Sequence, residues 1–170
     1  MKPVKVLILI GSDSDAPVMS GALQVLEELG VPAEMTVASA HRSPSRVERL
    51  VSEAPDRGVQ VFIAAAGAAA HLGGVIAART TRPVIGVPID SSPLAGFDAL
   101  LSTVQMPPGI PVATVSVGKA GATNAAVLAA QIVALSDRAV AAALVAYKEK
   151  LAAKVEDAAR RVEGSGTGAT

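Results

Sequence analysis

Three short polar segments hold the side chains that are best suited to chemistry. Residues 39–44 (SAHRSP) place His41 beside Arg42, and residues 11–15 (GSDSD) and 67–71 (GAAAH) are the other two segments. A histidine can exchange a proton near neutral pH, and the planar guanidinium of an arginine binds phosphate with paired hydrogen bonds. We therefore expect the three segments to form one site for a small phosphorylated substrate, with His41 as the proton-transfer group.

The GSDSD segment joins an apolar run to the start of a helix, where free backbone N–H groups and the helix dipole attract anions. Ser12 and Ser14 add hydroxyl donors to this turn. The carboxylates of Asp13 and Asp15 would repel a phosphate, so one of them is better suited to the hydroxyl groups of a sugar. Asp15 could equally cap the helix that follows. The segment is neither GxGxxG nor a P-loop, which argues against dinucleotide and nucleoside triphosphate sites.

The second histidine, His71, follows the Ala- and Gly-rich residues 64–70. A structural His71 bonded to the backbone is at least as well supported by the pattern as a catalytic one. The side-chain-poor segment before it can approach a ligand closely and leave a small apolar pocket. Two histidines without a carboxylate at ligand spacing make a poor zinc site. The chain has no cysteine, so thiolate ligands are excluded and we expect no metal.

Strands and helices that alternate along the chain must position these segments. Runs of β-branched residues and leucine predict five buried parallel strands, at residues 4–10, 31–38, 59–65, 84–87 and 112–117. Capping and periodic signals predict helices between and after them, at residues 15–29, from 43 onward, 69–78, 98–104 and 122–135. This pattern predicts a three-layer αβα sandwich, a flavodoxin-like doubly wound parallel sheet of five strands in the order 2-1-3-4-5.

In such a sheet, ligands bind beyond the carboxyl ends of the strands, where the strand order reverses. In this order the reversal lies between the first and third strands. The three polar segments follow the first, second and third predicted strands. All three should therefore meet at one edge of the sheet.

The bulk composition predicts one domain over residues 1–163, followed by a flexible tail at 164–170. With 15 basic and 15 acidic side chains the formal net charge is zero and no basic face is evident, which argues against nucleic-acid binding. The most apolar window, residues 61–78, is mostly Ala and Gly and is broken by His71. A membrane span needs roughly 20 strongly apolar residues, so we expect none, and the absence of cysteine is compatible with a cytoplasmic protein.

A last helix, predicted over residues 137–163, has apolar side chains at three- and four-residue steps between charged neighbours: Val140, Leu144, Tyr147, Leu151, Val155 and Val162. So narrow a stripe is typical of docking on a neighbouring subunit. Packing on its own domain is equally well supported by the pattern. Since apolar residues make up 51% of the chain, we expect this protruding helix to pack against another copy.

Four segments, GSDSD, SAHRSP, AAGAAAHLGG and GFDALLSTVQMPPGIPVATVSVGKAGATNAA, together resemble the bacterial N5-carboxyaminoimidazole ribonucleotide mutases of purine biosynthesis. The resemblance implies a cofactor-free isomerase that moves a carboxylate from the exocyclic N5 to C4 of the imidazole ring. It makes His41 the acid/base group. It also implies a set of substrate-binding residues, which are Ser12, Ser14, Asp15, Ser39, Arg42, Gly67, His71 and Leu72.

The resemblance also implies a homo-octamer with active sites shared between subunits, and a functional link to the ATP-dependent synthetase that makes the substrate. The QMPPG loop, residues 105–109, would close over the ring and exclude water. Two departures concern pocket shape: Ala68 stands where the family usually has glycine, and Gly73 where it usually has proline.

Two other functions fit the same pattern. A direct aminoimidazole ribonucleotide carboxylase would share the fold, but that class usually has lysine after the histidine, and Arg42 favours the mutase. A non-catalytic, flavodoxin-like nucleotide-binding module is the alternative of another class.

Overall fold

The computed structural model of the chain describes residues 4–165 and contains one parallel sheet. The strand order is β2-β1-β3-β4-β5, and every neighbouring pair is parallel, which confirms the predicted topology. The strands are β1 (Val6–Ile10), β2 (Ala33–Val37), β3 (Val61–Gly67), β4 (Val84–Ile89) and β5 (Ala113–Thr114).

Helices cover both faces of the sheet and complete the three-layer sandwich. They are α1 (Ala16–Glu28), α2 (Pro44–Glu53), α3 (Leu72–Ala77), α4 (Phe97–Val104), α5 (Gly118–Ala134) and α6 (Arg138–Ser165). Helices α1 and α5 pack on one face, α2, α3 and α4 lie on the other, and α6 packs against α5.

The β1 sequence VLILI shows why both faces are covered. Val6, Ile8 and Ile10 enter the core beneath α1 and α5, whereas Leu7 and Leu9 enter the core beneath α2 and α3. All five side chains are buried. Because successive side chains of a strand point to opposite faces, a strand buried on both faces must be apolar throughout. Full burial of each such side chain contributes about 1.5–3 kcal/mol.

Helix α3 begins at Leu72, three residues later than the sequence predicted. Ala68 has a φ of +50°, and two tight turns follow, in which the N–H groups of Ala70 and His71 donate to the carbonyls of Ala68 and Ala69. These bonds replace the helical i to i−4 pattern, so His71 becomes the residue that precedes the helix.

Strand β5 is shorter than predicted, and α5 begins earlier. Ladder pairing covers only Ala113 and Thr114, after which the N–H of Val115 donates to Gly86. The chain then turns so tightly that a Cβ on Gly121 would lie 1.7 Å from the Ser116 carbonyl oxygen. Only a glycine permits this approach, and α5 therefore starts close to the end of β5.

The QMPPG loop lies at the amino-terminal edge of the sheet, since α4 carries the chain back across the second face before β5 begins. Met106 packs against α3, where its sulfur would be 3.2 Å from a Cβ on Gly74. Gly109 lines a cleft beside the residues that lead into β4. The loop therefore does not cover the carboxyl edge of its own sheet.

The predicted apolar stripe of α6 is buried in the first half of the helix and exposed in the second. Val140 is buried, and Leu144 and Tyr147 pack against the core cluster next to α5. Beyond them, Leu151, Val155 and Val162 are exposed. The helix continues through Gly164 to Ser165, and the rest of the predicted tail lies outside the described residues. Within residues 4–165, none of the helices is long and apolar enough to cross a membrane.

Candidate active site

The turn after β1 is closed by hydrogen bonds among Ser12, Ser14 and Asp15. Ser12 Oγ accepts from the N–H of Ser14 at 3.4 Å, and Asp15 Oδ2 accepts from the N–H of Ser12 at 3.1 Å. Ser12 Oγ also donates to Asp13 Oδ1 at 3.1 Å. Together the bonds form a capping box around a single 3-10 turn, Asp13–Asp15, which runs directly into α1.

Asp15 is the buried carboxylate of this turn, with 4% of its surface exposed. The Asp15 side chain makes no hydrogen bond to the N-terminus of α1. It accepts one from the backbone N–H of Ser12, which precedes it in the turn. Burial raises the pKa of the Asp15 carboxyl above its ordinary value of 3.8, although hydrogen bonds from Ser12 and Ser14 and the charge of Arg42 act in the opposite direction. A buried, partly desolvated acceptor of this kind suits a neutral hydroxyl donor better than a phosphate.

The loop after β2 is organised by Ser39 and Ser43. Ser39 Oγ accepts from the backbone N–H of Arg42 at 3.1 Å and from its Nε at 3.4 Å. Ser43 Oγ accepts from the N–H of Ser39 at 3.1 Å. Arg42 Nη2 then reaches across to the Gly11 carbonyl at 2.9 Å and joins the ends of β1 and β2. A guanidinium has five N–H donors, so three remain available for an anion.

The two histidines of the chain are in direct contact. His41 Nε2 and His71 Nδ1 are 2.8 Å apart, and the rings meet edge to face with centroids 5.0 Å apart. Two N–H groups cannot face each other at this distance, so one nitrogen donates and the other accepts. The contact orients the His41 ring and leaves its Nδ1 for another partner.

The end of β3 supplies a wall with almost no side chains. Ala66, Gly67 and Ala69 line it, and Leu72 closes it from the first residue of α3. A Cβ on Gly67 would lie 1.8 Å from Ser91 Oγ, so the glycine is required by a close approach within the chain. The predicted close approach of a ligand to the same backbone stays a prediction.

These segments enclose one cavity of about 260 Å³ at the carboxyl edge, beside the point where β1 and β3 meet. Eight of the residues predicted for the site line it: Ser12, Ser14, Asp15, Ser39, His41, Arg42, Gly67 and Leu72. The remaining predicted residue, His71, touches His41 but is not among the lining residues. The loops predicted from the sequence therefore meet around one cavity at the carboxyl edge of the sheet, and their role in binding a substrate stays a prediction.

Ser91 is the polar lining residue that the sequence argument missed. It lies two residues beyond β4, at the same carboxyl edge as the other loops. The strand-end rule that selected the loops after β1, β2 and β3 could have selected it as well. Within the long proline-containing connection that follows β4, composition alone favours the QMPPG loop as the functional segment.

A larger cleft, of about 1030 Å³, lies at the opposite edge between α2 and the residues that lead into β4 and β5. Arg79 and Arg82 are its charged residues, and both donate to backbone carbonyls of the chain. This larger cleft has no His, Asp or Glu side chain among its lining residues, so the larger volume does not mark a site for acid/base chemistry. Within residues 4–165, no group of three or more His, Cys, Asp or Glu side chains is placed to hold a metal ion.

A family model described as AIR carboxylase matches residues 5–154. The match covers well over half of the chain, and the chain therefore belongs to the AIR carboxylase family.

Within that family, the chain is similar to proteins named N5-carboxyaminoimidazole ribonucleotide mutase. Those of Pyrococcus horikoshii and Bacillus subtilis are each 51% identical to it, over 94% and 92% of this chain and 89% and 90% of their own lengths. That of Escherichia coli K12 is 52% identical over 80% of each chain. A crystal structure of Treponema denticola PurE matches with a TM-score of 0.80 at 32% identity, covering 89% of this chain and 94% of the other. These findings confirm the predicted resemblance and fold.

Both departures from the family pattern lie outside the cavity lining. Ala68 adopts its left-handed φ between Gly67 and Ala69, which do line the cavity. Gly73 is buried on α3, where a Cβ would lie 3.3 Å from Val112 Cγ1. The first departure therefore introduces backbone strain, and the second makes room for a neighbouring core side chain.

Proposed function

We propose that this chain is an N5-carboxyaminoimidazole ribonucleotide mutase of purine biosynthesis, which moves a carboxylate from N5 to C4 of the imidazole ring. The observation that carries the proposal is that His41, oriented by His71, lines the same small cavity as the anion-binding turn after β1. Relatives with this name at about half identity over most of the chain support it.

The proposed reaction has two steps, and atoms balance in each. The carbamate C–N bond breaks, which releases carbon dioxide, and the exocyclic nitrogen keeps the electron pair and takes a proton from protonated His41. C4 then attacks the carbon dioxide, and His41 accepts the C4 proton, which restores the aromatic ring. Since Nε2 of His41 contacts His71, a proton taken at Nδ1 can be balanced by transfer along the pair.

The turn after β1 and Arg42 would bind the nucleotide. The Ser12 hydroxyl, which donates to Asp13 in this structure, and the Ser14 hydroxyl would turn to the 5′-phosphate, and the free donors of Arg42 suit it as well. Asp15 is already bonded through Oδ2 to Ser12 and would accept a ribose hydroxyl at its other oxygen.

The remaining wall would hold carbon dioxide between the two steps. Ser39, Gly67 and Leu72 line this part of the cavity and offer little polar surface to compete with a small neutral molecule. Exclusion of water prevents loss of the intermediate. The proposed steps use no metal and no coenzyme, so a chelator should leave the rate unchanged.

We propose further that the enzyme is a homo-octamer in the cytoplasm whose active sites are shared between subunits. The cavity of one chain, about 260 Å³, is below the ~300–1,000 Å³ usual for ligand sites. The QMPPG loop lies at the opposite edge of the sheet from the cavity of its own chain, and it would contact the cavity of a neighbouring subunit. Its substrate would come from an ATP-dependent synthetase, because forming a carbamate from an amine and bicarbonate requires an energy source.

Alternative substrates test the proposal against direct carboxylation, which the description of the matching family names. Purified protein is supplied with N5-carboxyaminoimidazole ribonucleotide, or with 5-aminoimidazole ribonucleotide and bicarbonate. We expect turnover of the carbamate at low concentration and little of the second mixture. The reverse preference would identify a direct carboxylase, and no turnover of either would leave only a nucleotide-binding module.

His41→Asn tests the assigned proton transfer. Asparagine keeps a polar side chain of similar size but cannot accept the C4 proton, so we expect kcat to fall about 10²–10⁴-fold. Nucleotide affinity, measured by calorimetry, should change by less than about threefold. A variant that retains most of its turnover would remove His41 from the reaction.

A further inference from the structure

A hydroxyl group that makes no hydrogen bond to the part of the chain described by the structure lies at the carboxyl end of β4. Ser91 follows the strand by two residues and lines the cavity. Its Oγ lies over the Cα of Gly67, in the space that a Cβ there would need. Gly67 pairs with Ile89 in the last register of β3 and β4, so the sheet itself brings the two residues together.

The adjacent serine provides a contrast. Ser92 Oγ accepts a hydrogen bond from the N–H of Leu94 at 3.1 Å, and the Ser92 carbonyl accepts from Ala95, so this serine shapes the turn before α4. Among the hydrogen bonds formed by residues 4–165, none involves Ser91 Oγ. A hydroxyl that lines a cavity in this way has both a donor and an acceptor to offer a ligand.

We propose that Ser91 is a substrate-binding residue whose hydroxyl donates a hydrogen bond to the carboxylate that is transferred. The inference rests on the proposed function, because it takes the carboxylated ribonucleotides as ligands. Nothing in the proposed chemistry so far provides a donor for that carboxylate on the β4 side of the cavity.

The position of Ser91 favours the carboxylate over the phosphate. The anion-binding turn follows β1, and Arg42 joins the ends of β1 and β2, whereas Ser91 stands beyond β3 against Gly67. A nucleotide with its phosphate at the turn would extend its heterocycle towards β3, and the carboxylate lies on the heterocycle. A hydroxyl that donates to a carboxylate forms a charge-assisted bond, which is stronger than a bond to a neutral acceptor.

The same reasoning predicts which kinetic constant should change. Substrate and product both carry the carboxylate, whereas the carbon dioxide formed between them is neutral and a weaker acceptor. The Ser91 hydroxyl should therefore bind both carboxylated nucleotides without favouring the chemical step between them. Because the bond is at least as strong to the bound nucleotides as to the transition state between them, its removal should raise KM without lowering kcat.

Ser91→Ala and Ser92→Ala form a matched pair for the kinetic test. We expect Ser91→Ala to raise KM for the carbamate about tenfold, since a hydrogen bond to a charged group is lost. Its kcat should not fall below that of wild type, and both constants of Ser92→Ala should stay within about twofold. An unchanged KM for Ser91→Ala, or equal losses in the two variants, would overturn the inference.

Equilibrium binding separates this inference from the proposed function. Calorimetry compares 4-carboxy-5-aminoimidazole ribonucleotide with 5-aminoimidazole ribonucleotide, which lacks the carboxylate. Ser91→Ala should weaken binding of the first about tenfold and leave the second unchanged. If wild type binds both and Ser91→Ala weakens both alike or neither, the assignment to the carboxylate is wrong. If wild type binds neither, the proposed function itself fails.

Discussion

At the scale of single residues, most polar groups of the cavity are fixed before a ligand binds. Ser39 holds Arg42 through two bonds, and Ser12 and Asp15 cap each other. Groups that are already ordered lose little rotamer freedom when they bind, so more of each contact contributes to affinity. The Asp15 carboxylate also lowers the stability of the fold, because it is buried away from water.

Asp15→Asn should raise stability at neutral pH while weakening nucleotide binding. The folded-state pKa of Asp15 is raised above 3.8 by burial, so ionisation at higher pH favours the unfolded chain. Asparagine removes this penalty, and its advantage should shrink as pH falls through the raised folded-state pKa and vanish below 3.8, where the carboxyl is protonated in both states. Urea denaturation across pH provides the measurement. A loss of stability of equal size at every pH would show that the bond to Ser12 outweighs burial.

Gly67→Ala should be destabilising because of Ser91. The new Cβ would lie 1.8 Å from Ser91 Oγ and 3.2 Å from the Ile89 carbonyl oxygen, and overpacking of this kind costs about 1–3 kcal/mol. The double variant Gly67→Ala/Ser91→Gly should recover most of the loss in urea denaturation. Gly67→Ala/Ser92→Gly is the control and should recover none. No recovery in either would place the main clash at Ile89.

At the scale of elements, the loop between β3 and α3 decides where the second histidine points. Its left-handed residue and the two tight turns after it end the strand sharply and hold His71 just before α3. From there the ring reaches His41, which comes from the loop after β2. The contact between the histidines therefore depends on backbone conformation in a segment almost without side chains.

Ala68→Gly should stabilise the protein. A left-handed conformation costs a residue with a Cβ about 1–2 kcal/mol, and glycine removes this cost. The greater freedom of glycine in the unfolded chain lowers the free energy of unfolding by about 0.4–1 kcal/mol and so offsets part of the gain. We expect a net gain of about 0.5–1 kcal/mol in the free energy of unfolding, measured by urea denaturation. Ala69→Gly, at a position without positive φ, should lose stability. Equal losses in both variants would show that the strain at Ala68 is negligible.

At the scale of the whole molecule, two apolar faces remain exposed on the isolated chain. Phe97, Leu101 and Val104 lie along one side of α4, and Leu151 and Val155 belong to the outer half of α6. Apolar surface arranged in continuous faces is typical of contacts between subunits. Both faces support the proposed oligomer, and the first of them leads directly into the QMPPG loop.

Val155→Glu should weaken that assembly. If Val155 is buried between copies, the loss of its apolar surface alone costs about 2 kcal/mol per copy, and an unpaired carboxylate adds to it. Sedimentation velocity should show smaller species at a concentration at which wild type is fully assembled. Ala153→Glu is the control, because it lies on the opposite side of α6 and is exposed. Identical sedimentation of wild type and Val155→Glu would show that this face is not an interface.

The sequence by itself determined the sheet, its order and the edge at which the predicted site residues lie. A strand buried on both faces must be apolar along its length, and parallel strands must send their following loops to one edge, so VLILI and the segments GSDSD, SAHRSP and GAAAH were sufficient. The family resemblance then supplied roles for individual residues. These inferences depend on local composition and on chain direction, which a sequence states directly.

Only the tertiary structure decided which residues touch. The contact between His41 and His71, and the space over Gly67 that Ser91 fills, join residues from different loops at distances set by backbone turns. The position of the QMPPG loop at the far edge likewise follows from the path of α4 across the sheet. Periodicity assigns a residue to a face or an edge, but the distance between two side chains depends on the packing of every element between them.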